Sequence, residues 1–137
     1  MRAHGTFDLT PQFDPPYDVV DGVTLGRARF VKTFAGPLAA TSEVHMIGAR
    51  TPVPASAGYV AIERVTGTLD GRAGTFVLQH SGTMTRGQSA LSVTVVPDSG
   101  TGALRGLSGR MQIEIVDKQH HYAFDYELAV AEPATAD

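Results

Sequence analysis

Glycine and proline interrupt this chain so often that no long helix can form in it. The sequence has 15 glycines and 8 prolines among its 137 residues, which is about one residue in six against roughly 12% in average proteins. In a helix interior, glycine costs about 1 kcal/mol and proline about 3 kcal/mol relative to alanine. Helical bundles, coiled coils and helical solenoids are therefore excluded. The apolar fraction of 42% is nevertheless ordinary for a folded domain.

Charge and residue usage exclude several classes of function. The net charge is −3, so the chain lacks the basic surface that binds nucleic acid, and no nucleic-acid partner is expected. The absence of cysteine excludes thiolate catalysis, disulfides and thiolate-bound metals. The first residues lack an apolar signal core, and no apolar run approaches the ~20 residues of a membrane span. We therefore expect a cytoplasmic protein that does not contact a membrane.

Apolar and polar residues alternate along most of the chain with the period of two that is typical of β-strands. Turn residues separate eight such segments, and Asp70-Gly71 is the strongest turn because Asp-Gly favours a tight hairpin. The predicted strands are His4–Thr10, Thr24–Phe34, Ala39–Gly48, Gly58–Gly67, Gly74–Met84, Gln88–Val96, Gly109–Val116 and His121–Val130. We expect one all-β domain over residues 1–130, a barrel or a sandwich, and a flexible tail at residues 131–137.

The turns also predict the register of the two central hairpins. An Asp70-Gly71 turn puts Leu69 opposite Arg72, and an Arg86-Gly87 turn puts His80 opposite Val93. The same face is then apolar in both hairpins, as a register fixed by one buried face requires. The predicted inner wall consists of Tyr59, Ala61, Glu63, Val65, Phe76, Leu78, His80, Leu91, Val93 and Val95.

The other strands add further apolar faces. In the last pair, the apolar face holds Met111, Ile113, Ile115, Tyr122, Phe124, Tyr126 and Leu128. For strands 24–34 and 39–48, one face groups Phe30, Lys32 and Phe34 with Glu43, His45 and Ile47, and the other groups Arg29, Val31 and Thr33 with Ser42, Val44 and Met46. The pattern does not decide which of these two faces is inward. Since closing a sheet removes its edges, we predict a closed eight-stranded antiparallel up-and-down β-barrel, just wide enough for packed side chains or one small ligand.

Glu63 and His80 do not fit an apolar inner wall, which makes them candidates for function. Burial raises the pKa of a carboxyl group and an imidazole titrates near neutrality, so the pair could move a proton on a bound molecule without a cofactor. With Tyr59 on the same wall, the predicted catalytic residues are Glu63, His80 and Tyr59. A structural alternative is that Glu63 closes the barrel end by pairing with Arg64 or Arg105, while His80 bonds a backbone carbonyl.

The predicted ligand-binding residues are apolar and aromatic side chains of the inner wall. They are Phe76, Leu78, Val93, Tyr122, Phe124 and Tyr126. A wall of this kind suits a small hydrophobic or aromatic molecule. For the tyrosines, the alternative is structural, because buried tyrosines commonly pack and make one hydrogen bond.

Neither a metal nor a cofactor is expected. The five histidines show no His-x-His or His-x-x-x-His spacing, and His120 and His121 point to opposite faces of a strand. The glycine-rich segment 100–106 is not followed by a helix, whose N-terminus would be needed to hold a pyrophosphate. The sequence also lacks the Gly-x-Ser-x-Gly motif of serine hydrolases.

The outward face of the central hairpin is more apolar than a solvated strand should be. Val60, Ile62 and Val77 fall on this face, and a continuous exposed apolar patch usually marks an interface. We predict a homo-oligomer, most simply a two-fold dimer that forms through the outer wall.

Two segments carry a family resemblance, ERVTGTLDGR at residues 63–72 and GTFVLQHSGT at residues 74–83. With VVPDSGTG at 95–102 and LRGLSG at 104–109, the sequence resembles a bacterial family of unknown function grouped with the allene-oxide-cyclase-like, calycin-like barrels. The resemblance covers nearly the whole chain. It implies a closed eight-stranded barrel that is commonly oligomeric, and relatives that cyclise or isomerise lipophilic molecules with a buried carboxylate and apolar walls.

The preferred functional hypothesis is a barrel that binds a small hydrophobic or aromatic molecule. It includes cofactor-independent isomerisation or cyclisation of that molecule by the buried acid–base residues. The alternative is a non-catalytic carrier or ligand-responsive binding module, and a third is a plugged barrel that acts only through its surface. We also expect Glu63 to stay protonated to a higher pH than an exposed glutamate, unless His80 or an arginine compensates.

Overall fold

Long strands make up nearly all of the structure. The computed structural model describes residues 1–129, and both Val130 and the predicted tail at 131–137 lie outside the described residues. The strands are β1 (Arg2–Phe13), β2 (Asp18–Val20), β3 (Val23–Ala35), β4 (Leu38–Arg50), β5 (Ala57–Leu69), β6 (Arg72–Thr85), β7 (Gln88–Val95), β8 (Leu107–Val116) and β9 (Gln119–Leu128), with a short 3₁₀ helix at Gly102–Leu104. Each of the eight predicted segments coincides with one of the eight long strands, and only the short β2 was not predicted.

The eight long strands close into one antiparallel barrel. Their order around the barrel is β1-β9-β8-β7-β6-β5-β4-β3, and β1 completes the ring by pairing with β3, with Phe7 opposite Phe34. The strand β2 lies outside this ring and forms a small hairpin with β3. The predicted closed eight-stranded barrel is therefore confirmed.

Two-residue turns with positive φ at both positions connect several neighbouring strands. They are Asp21-Gly22, Asp70-Gly71, Arg86-Gly87 and Asp117-Lys118. These φ values are typical of type I′ turns, whose twist matches that of the flanking strands. As predicted, Leu69 lies opposite Arg72 and His80 lies opposite Val93. The Asp21-Gly22 dipeptide was a signal that could have revealed the β2–β3 hairpin.

The predicted grouping of residues on β3 and β4 is wrong by one residue. Phe34 pairs with Ala40 and Lys32 with Ser42, so even-numbered residues of β3 share a face with even-numbered residues of β4, whereas the prediction grouped even-numbered with odd-numbered residues. A shift of one residue moves every side chain of a strand to the other face. The inward face therefore consists of Phe30, Lys32 and Phe34 together with Ser42, Val44 and Met46.

The barrel is packed at one end and open at the other. Large buried side chains fill the closed end, namely Leu38, Leu69, Phe76, Leu104, Leu107, Phe124 and Tyr126. At the other end, which we call the mouth, one row of inward positions across β3 to β6 holds three glycines, Gly26, Gly48 and Gly82, with Tyr59 between the last two. Because glycine has no side chain, the mouth is less filled than the core.

The seam between β7 and β8 is the thinnest in the barrel. Within residues 1–129, these strands share the single residue pair Thr94–Arg110, whereas the seam between β8 and β9 runs from Leu107–Leu128 to Val116–Gln119. The mouth is therefore also open at one side, where Leu91 and Ile115 are exposed.

Candidate functional site

Four polar side chains meet inside the barrel between the packed core and the mouth. Lys32, Ser42, Glu63 and His80 come from the adjacent strands β3, β4, β5 and β6, and each is buried. Glu63 is 0% exposed. Its Oε1 accepts a hydrogen bond from Lys32 Nζ at 3.2 Å and lies 2.7 Å from His80 Nε2, and its Oε2 accepts one from Ser42 Oγ at 2.6 Å. We call these four residues the Glu63 cluster.

The neighbours of Glu63 hold its carboxyl group in the ionised form. Burial by itself raises the pKa of Glu63, but the hydrogen bond from His80, the charge of Lys32 and the hydrogen bond from Ser42 outweigh burial and lower this pKa below its usual value. The exception that the expectation allowed, compensation by a neighbouring group, therefore applies. Compensation comes from His80, as the prediction allowed, and from a lysine in place of the suggested arginine.

The structural alternative that we drew from the sequence named the wrong partners for Glu63 and His80. Glu63 pairs with Lys32, Ser42 and His80 and not with Arg64 or Arg105, and His80 bonds the carboxylate instead of a backbone carbonyl. Sequence reasoning missed Lys32 and Ser42. The available signal was a lysine placed two residues from an aromatic side chain on either side, Phe30 and Phe34, which is unusual on a solvated strand face.

One ring nitrogen of His80 makes a hydrogen bond within the Glu63 cluster, and the other makes none. Since a carboxylate only accepts hydrogen bonds, Nε2 of His80 carries the hydrogen that is shared with Glu63. Nδ1 has no hydrogen-bond partner among the described residues, and in that part of the chain no fully buried side-chain nitrogen or oxygen lacks a partner, so Nδ1 keeps some accessible surface although the side chain of His80 is only 4% exposed. An imidazole oriented by a carboxylate in this way can act as a general base.

Tyr59 lies beside His80 on the mouth side of the Glu63 cluster. The two ring centroids are 6.4 Å apart, and the Tyr59 ring lies against Gly82, where any Cβ would clash with it. Burial and the charge of Glu63 raise the pKa of Tyr59, so its hydroxyl is a hydrogen-bond donor at neutral pH. Among residues 1–129, this hydroxyl has no partner and is not buried.

Two apolar cavities of the mouth meet at Tyr59. One has a volume of about 360 Å³ and is lined by Phe13, Gly26, Ala28, Met46, Gly48 and Tyr59 among others. The second has about 610 Å³ and is lined by Val53, Tyr59, Met84, Leu91, Ile113 and Ile115 among others. Both volumes fall within the range of about 300–1,000 Å³ that small-molecule sites occupy. A Cβ added at Gly26 would meet no atom within 4 Å, so the wall of the first cavity is vacant at that position.

The six side chains predicted to bind a ligand form the packed core and do not line these two cavities. Phe76, Leu78, Val93, Tyr122, Phe124 and Tyr126 are each at most 2% exposed. The Tyr122 hydroxyl donates to the Ala35 carbonyl at 3.0 Å and accepts from the Leu38 N–H at 3.0 Å, while the Tyr126 hydroxyl donates to Asp70. Tyr122 and Tyr126 therefore have the structural role of packed, hydrogen-bonded tyrosines.

The outer wall carries an exposed apolar surface, as the alternation predicted. Val60 and Ile62 are 56% and 50% exposed, and Val77 is half-buried. Val60, Ile62 and Ile47 line a concave surface of about 850 Å³, together with outward polar residues such as Arg27, Arg29 and Gln79. The predicted oligomer remains a prediction.

The fold and the site together define a closed antiparallel β-barrel with a buried ionic cluster beneath an apolar mouth. The chain belongs to the DUF3224 family, described as proteins of unknown function, whose sequence profile matches residues 3–126. It is similar to the crystal structure of a DUF3224-family protein with unknown function from Shewanella oneidensis MR-1. The two are 46% identical, with 95% of this chain and 98% of that chain covered and a TM-score of 0.90. No curated protein matches the sequence.

Neither a metal-binding cluster nor a membrane-spanning helix is found within residues 1–129. No group of three or more histidine, cysteine, aspartate or glutamate side chains is arranged to hold a metal ion in this range. No helix within it has the length and apolarity that would let it cross a membrane.

Proposed function

We propose that this protein binds a small hydrophobic or aromatic molecule in the mouth of the barrel and needs no cofactor to do so. The observation that carries the proposal is that two apolar cavities meet at Tyr59, and that the inward Gly26 leaves the wall of the first cavity unfilled. Vacant apolar space that side chains could have filled is costly in a folded protein. A bound apolar molecule would recover that cost.

The mouth also offers polar contacts that would orient such a molecule. The Tyr59 hydroxyl is free to donate a hydrogen bond to a carbonyl or hydroxyl oxygen. Arg50 lies at the rim of both cavities and adds a cationic group there. A few polar groups in a mainly apolar wall are typical of small-molecule sites.

The resemblance to allene-oxide-cyclase-like barrels supports the same class of molecule, since those proteins act on lipophilic compounds. The alternative function, a non-catalytic carrier or ligand-responsive module, requires only the mouth. Isomerisation or cyclisation would require the Glu63 cluster in addition. Binding is therefore the function on which both hypotheses agree.

The experiment fills the cavity with one side chain and measures binding of an uncharged aromatic probe, N-phenyl-1-naphthylamine, by fluorescence. Gly26→Val places its methyl groups in the vacant space, so we expect its affinity for the probe to fall at least about tenfold, which corresponds to about 1.4 kcal/mol. Valine is favoured in strands over glycine, so the free energy of unfolding should not decrease.

The matched control is Ser92→Val on β7. Position 92 is exposed and faces outward, since its neighbour Val93 is buried inside the barrel, and it is in the lining of neither cavity. This variant should bind the probe like the unmodified protein. Equal affinities for Gly26→Val and Ser92→Val would show that the mouth is not the binding site.

A further inference from the structure

The arrangement beneath the mouth supports a chemical step as well as binding. We infer that His80 exchanges a proton with the bound molecule, that Tyr59 donates a hydrogen bond to it, and that this molecule is an enolisable carbonyl compound with an apolar body. The inference rests on the proposed binding in the mouth. It assigns the proton transfer to His80 and makes Glu63 a positioning residue.

Glu63 is unsuited to act on a ligand directly. Its carboxyl group is 0% exposed, and both of its oxygens already accept hydrogen bonds from other members of the cluster. His80 differs because Nε2 is fixed by Glu63 while Nδ1 has no partner among residues 1–129. His80 is not itself in the lining of the two cavities, but it lies in one row of inward positions with Ala28 and Met46, which line the first cavity. A carboxylate held behind an imidazole fixes its orientation and stabilises the imidazolium that forms when the imidazole takes up a proton.

Lys32 and Ser42 hold Glu63 in turn. The ammonium group of Lys32 and the hydroxyl group of Ser42 bind different oxygens of the carboxylate, so the carboxylate cannot rotate away from His80 without losing a hydrogen bond. The titratable groups that face His80 are thus Glu63 and Tyr59 from β5 and, through Glu63, Lys32 from β3. The neighbour of His80 on β7 is the apolar Val93.

The proposed step is an enolisation that balances without a cofactor. Nδ1 of His80 removes a proton from the carbon next to the carbonyl group of the ligand. The electron pair of that C–H bond becomes the carbon–carbon double bond, and the carbonyl electron pair moves to oxygen, where the Tyr59 hydroxyl donates a hydrogen bond to the developing charge. The imidazolium then returns the proton to the same carbon, or to a carbon conjugated with it. The second route shifts a double bond, and nothing is oxidised or reduced.

The experiment uses 2-tetralone, an uncharged aromatic ketone with exchangeable protons next to its carbonyl group. Its α-protons are replaced in D₂O, and the rate is followed by proton NMR in the presence and absence of protein. We expect the unmodified protein to accelerate this exchange and His80→Gln to lower the acceleration by about 100-fold or more. The glutamine amide can still donate to Glu63, so 2-tetralone binding, measured by NMR titration, should be retained.

The positioning role of Glu63 is tested by the pH profile of the exchange. With the unmodified protein the rate should rise with pH through one protonation step, which is lost in His80→Gln. In Glu63→Gln the imidazolium loses its counter-charge, so the midpoint of this step should move to lower pH. A purely structural role of Glu63 would change the amount of folded protein and leave the midpoint in place. Tyr59→Phe should lower the rate while keeping the midpoint.

The outcomes separate this inference from the proposed function. If 2-tetralone binds, Gly26→Val blocks its binding, and His80→Gln exchanges as fast as the unmodified protein, the proton-transfer role is overturned and the binding function stands. If Gly26→Val leaves 2-tetralone binding unchanged, both fail. Should His80→Gln not fold, diethyl pyrocarbonate treatment of the unmodified protein replaces it. Mass spectrometry must then show that His80 is modified, that this modification abolishes the exchange and that 2-tetralone prevents it. If His80 is not modified, the inference is overturned.

Discussion

Lys32 and Glu63 form an ion pair of 3.2 Å inside the barrel, and their side chains are 7% and 0% exposed. The two residues lie on β3 and β5, which are not neighbours, and Ser42 on the intervening β4 bonds the same carboxylate. With His80 on β6, the Glu63 cluster therefore links four strands through side chains as well as through the backbone. The net contribution of a buried pair to stability is small, but the loss of one partner leaves the other charge buried and uncompensated.

Glu63→Gln should lower the free energy of unfolding by about 3–5 kcal/mol, because it leaves the Lys32 ammonium group buried without a counter-charge. The double variant Lys32→Met/Glu63→Gln should recover much of this loss. Urea denaturation at neutral pH provides the measurement. The control is Glu43→Gln, which breaks an exposed ion pair with Arg29 and should cost no more than about 1 kcal/mol. Similar losses for the two single variants would contradict the prediction.

The free energy of unfolding at acidic pH should also depend on the ionisation of Glu63. Its pKa is lower in the folded protein than in the unfolded chain, where a glutamate titrates at about 4.3. The stabilisation is therefore present above about pH 4.3 and is lost as the pH falls through the lower, folded value. In a urea denaturation series over acidic pH, the unmodified protein should lose stability more steeply than Lys32→Met/Glu63→Gln, which lacks this carboxyl group. Parallel curves would rule out this contribution.

The free energy of unfolding at alkaline pH should depend on the ionisation of Tyr126. Burial, together with the hydrogen bond to Asp70 and its charge, raises the pKa of Tyr126 to about 12. A tyrosine in the unfolded chain ionises near pH 10, so the stabilisation is complete below about pH 10 and is lost as the pH rises through about 12. Tyr126→Phe should flatten the fall in stability over this window. Tyr17→Phe, which changes an exposed side chain, should leave the fall unchanged, and an equal effect of both variants would count against the prediction.

The exposed apolar surface on the outer wall should mediate a homodimer. Val60→Asp/Ile62→Asp places two charges on this surface, and both positions are at least half exposed, so the barrel should stay folded while the dimer dissociates. Multi-angle light scattering gives the mass of each species. Thr66→Asp, farther along the outward face of β5, should remain dimeric. A monomeric mass for the unmodified protein at micromolar concentration would refute the prediction.

Turn chemistry explains why the barrel and half of the cluster could be predicted. Asp70-Gly71 and Arg86-Gly87 fix pairing to the residue, so Glu63 and His80 could be placed on one wall. The connection at 35–39 has no such dipeptide, and an error of one residue there put Lys32 on a face with Glu43 instead of Ser42.

The open mouth could not be predicted for a different reason. Alternation shows which side chains of a strand point inward, but not whether the opposite walls are close enough to fill the space between them. Gly26 has vacant space around it, whereas the equally inward Gly82 is covered by Tyr59. The six aromatic and apolar residues expected to bind a ligand lie instead where the walls do meet.

The pairing of β1 with both β3 and β9 has a consequence for synthesis on the ribosome. The strand made first cannot complete its hydrogen bonds until Gln119–Leu128 has left the exit tunnel. Until then the nascent chain is an open sheet with two unprotected edges, the kind of intermediate that aggregates or recruits chaperones. Translation that halts within the last hairpin would leave every earlier strand in place and the ring unclosed. Premature termination there should therefore yield an insoluble product instead of a weakened barrel.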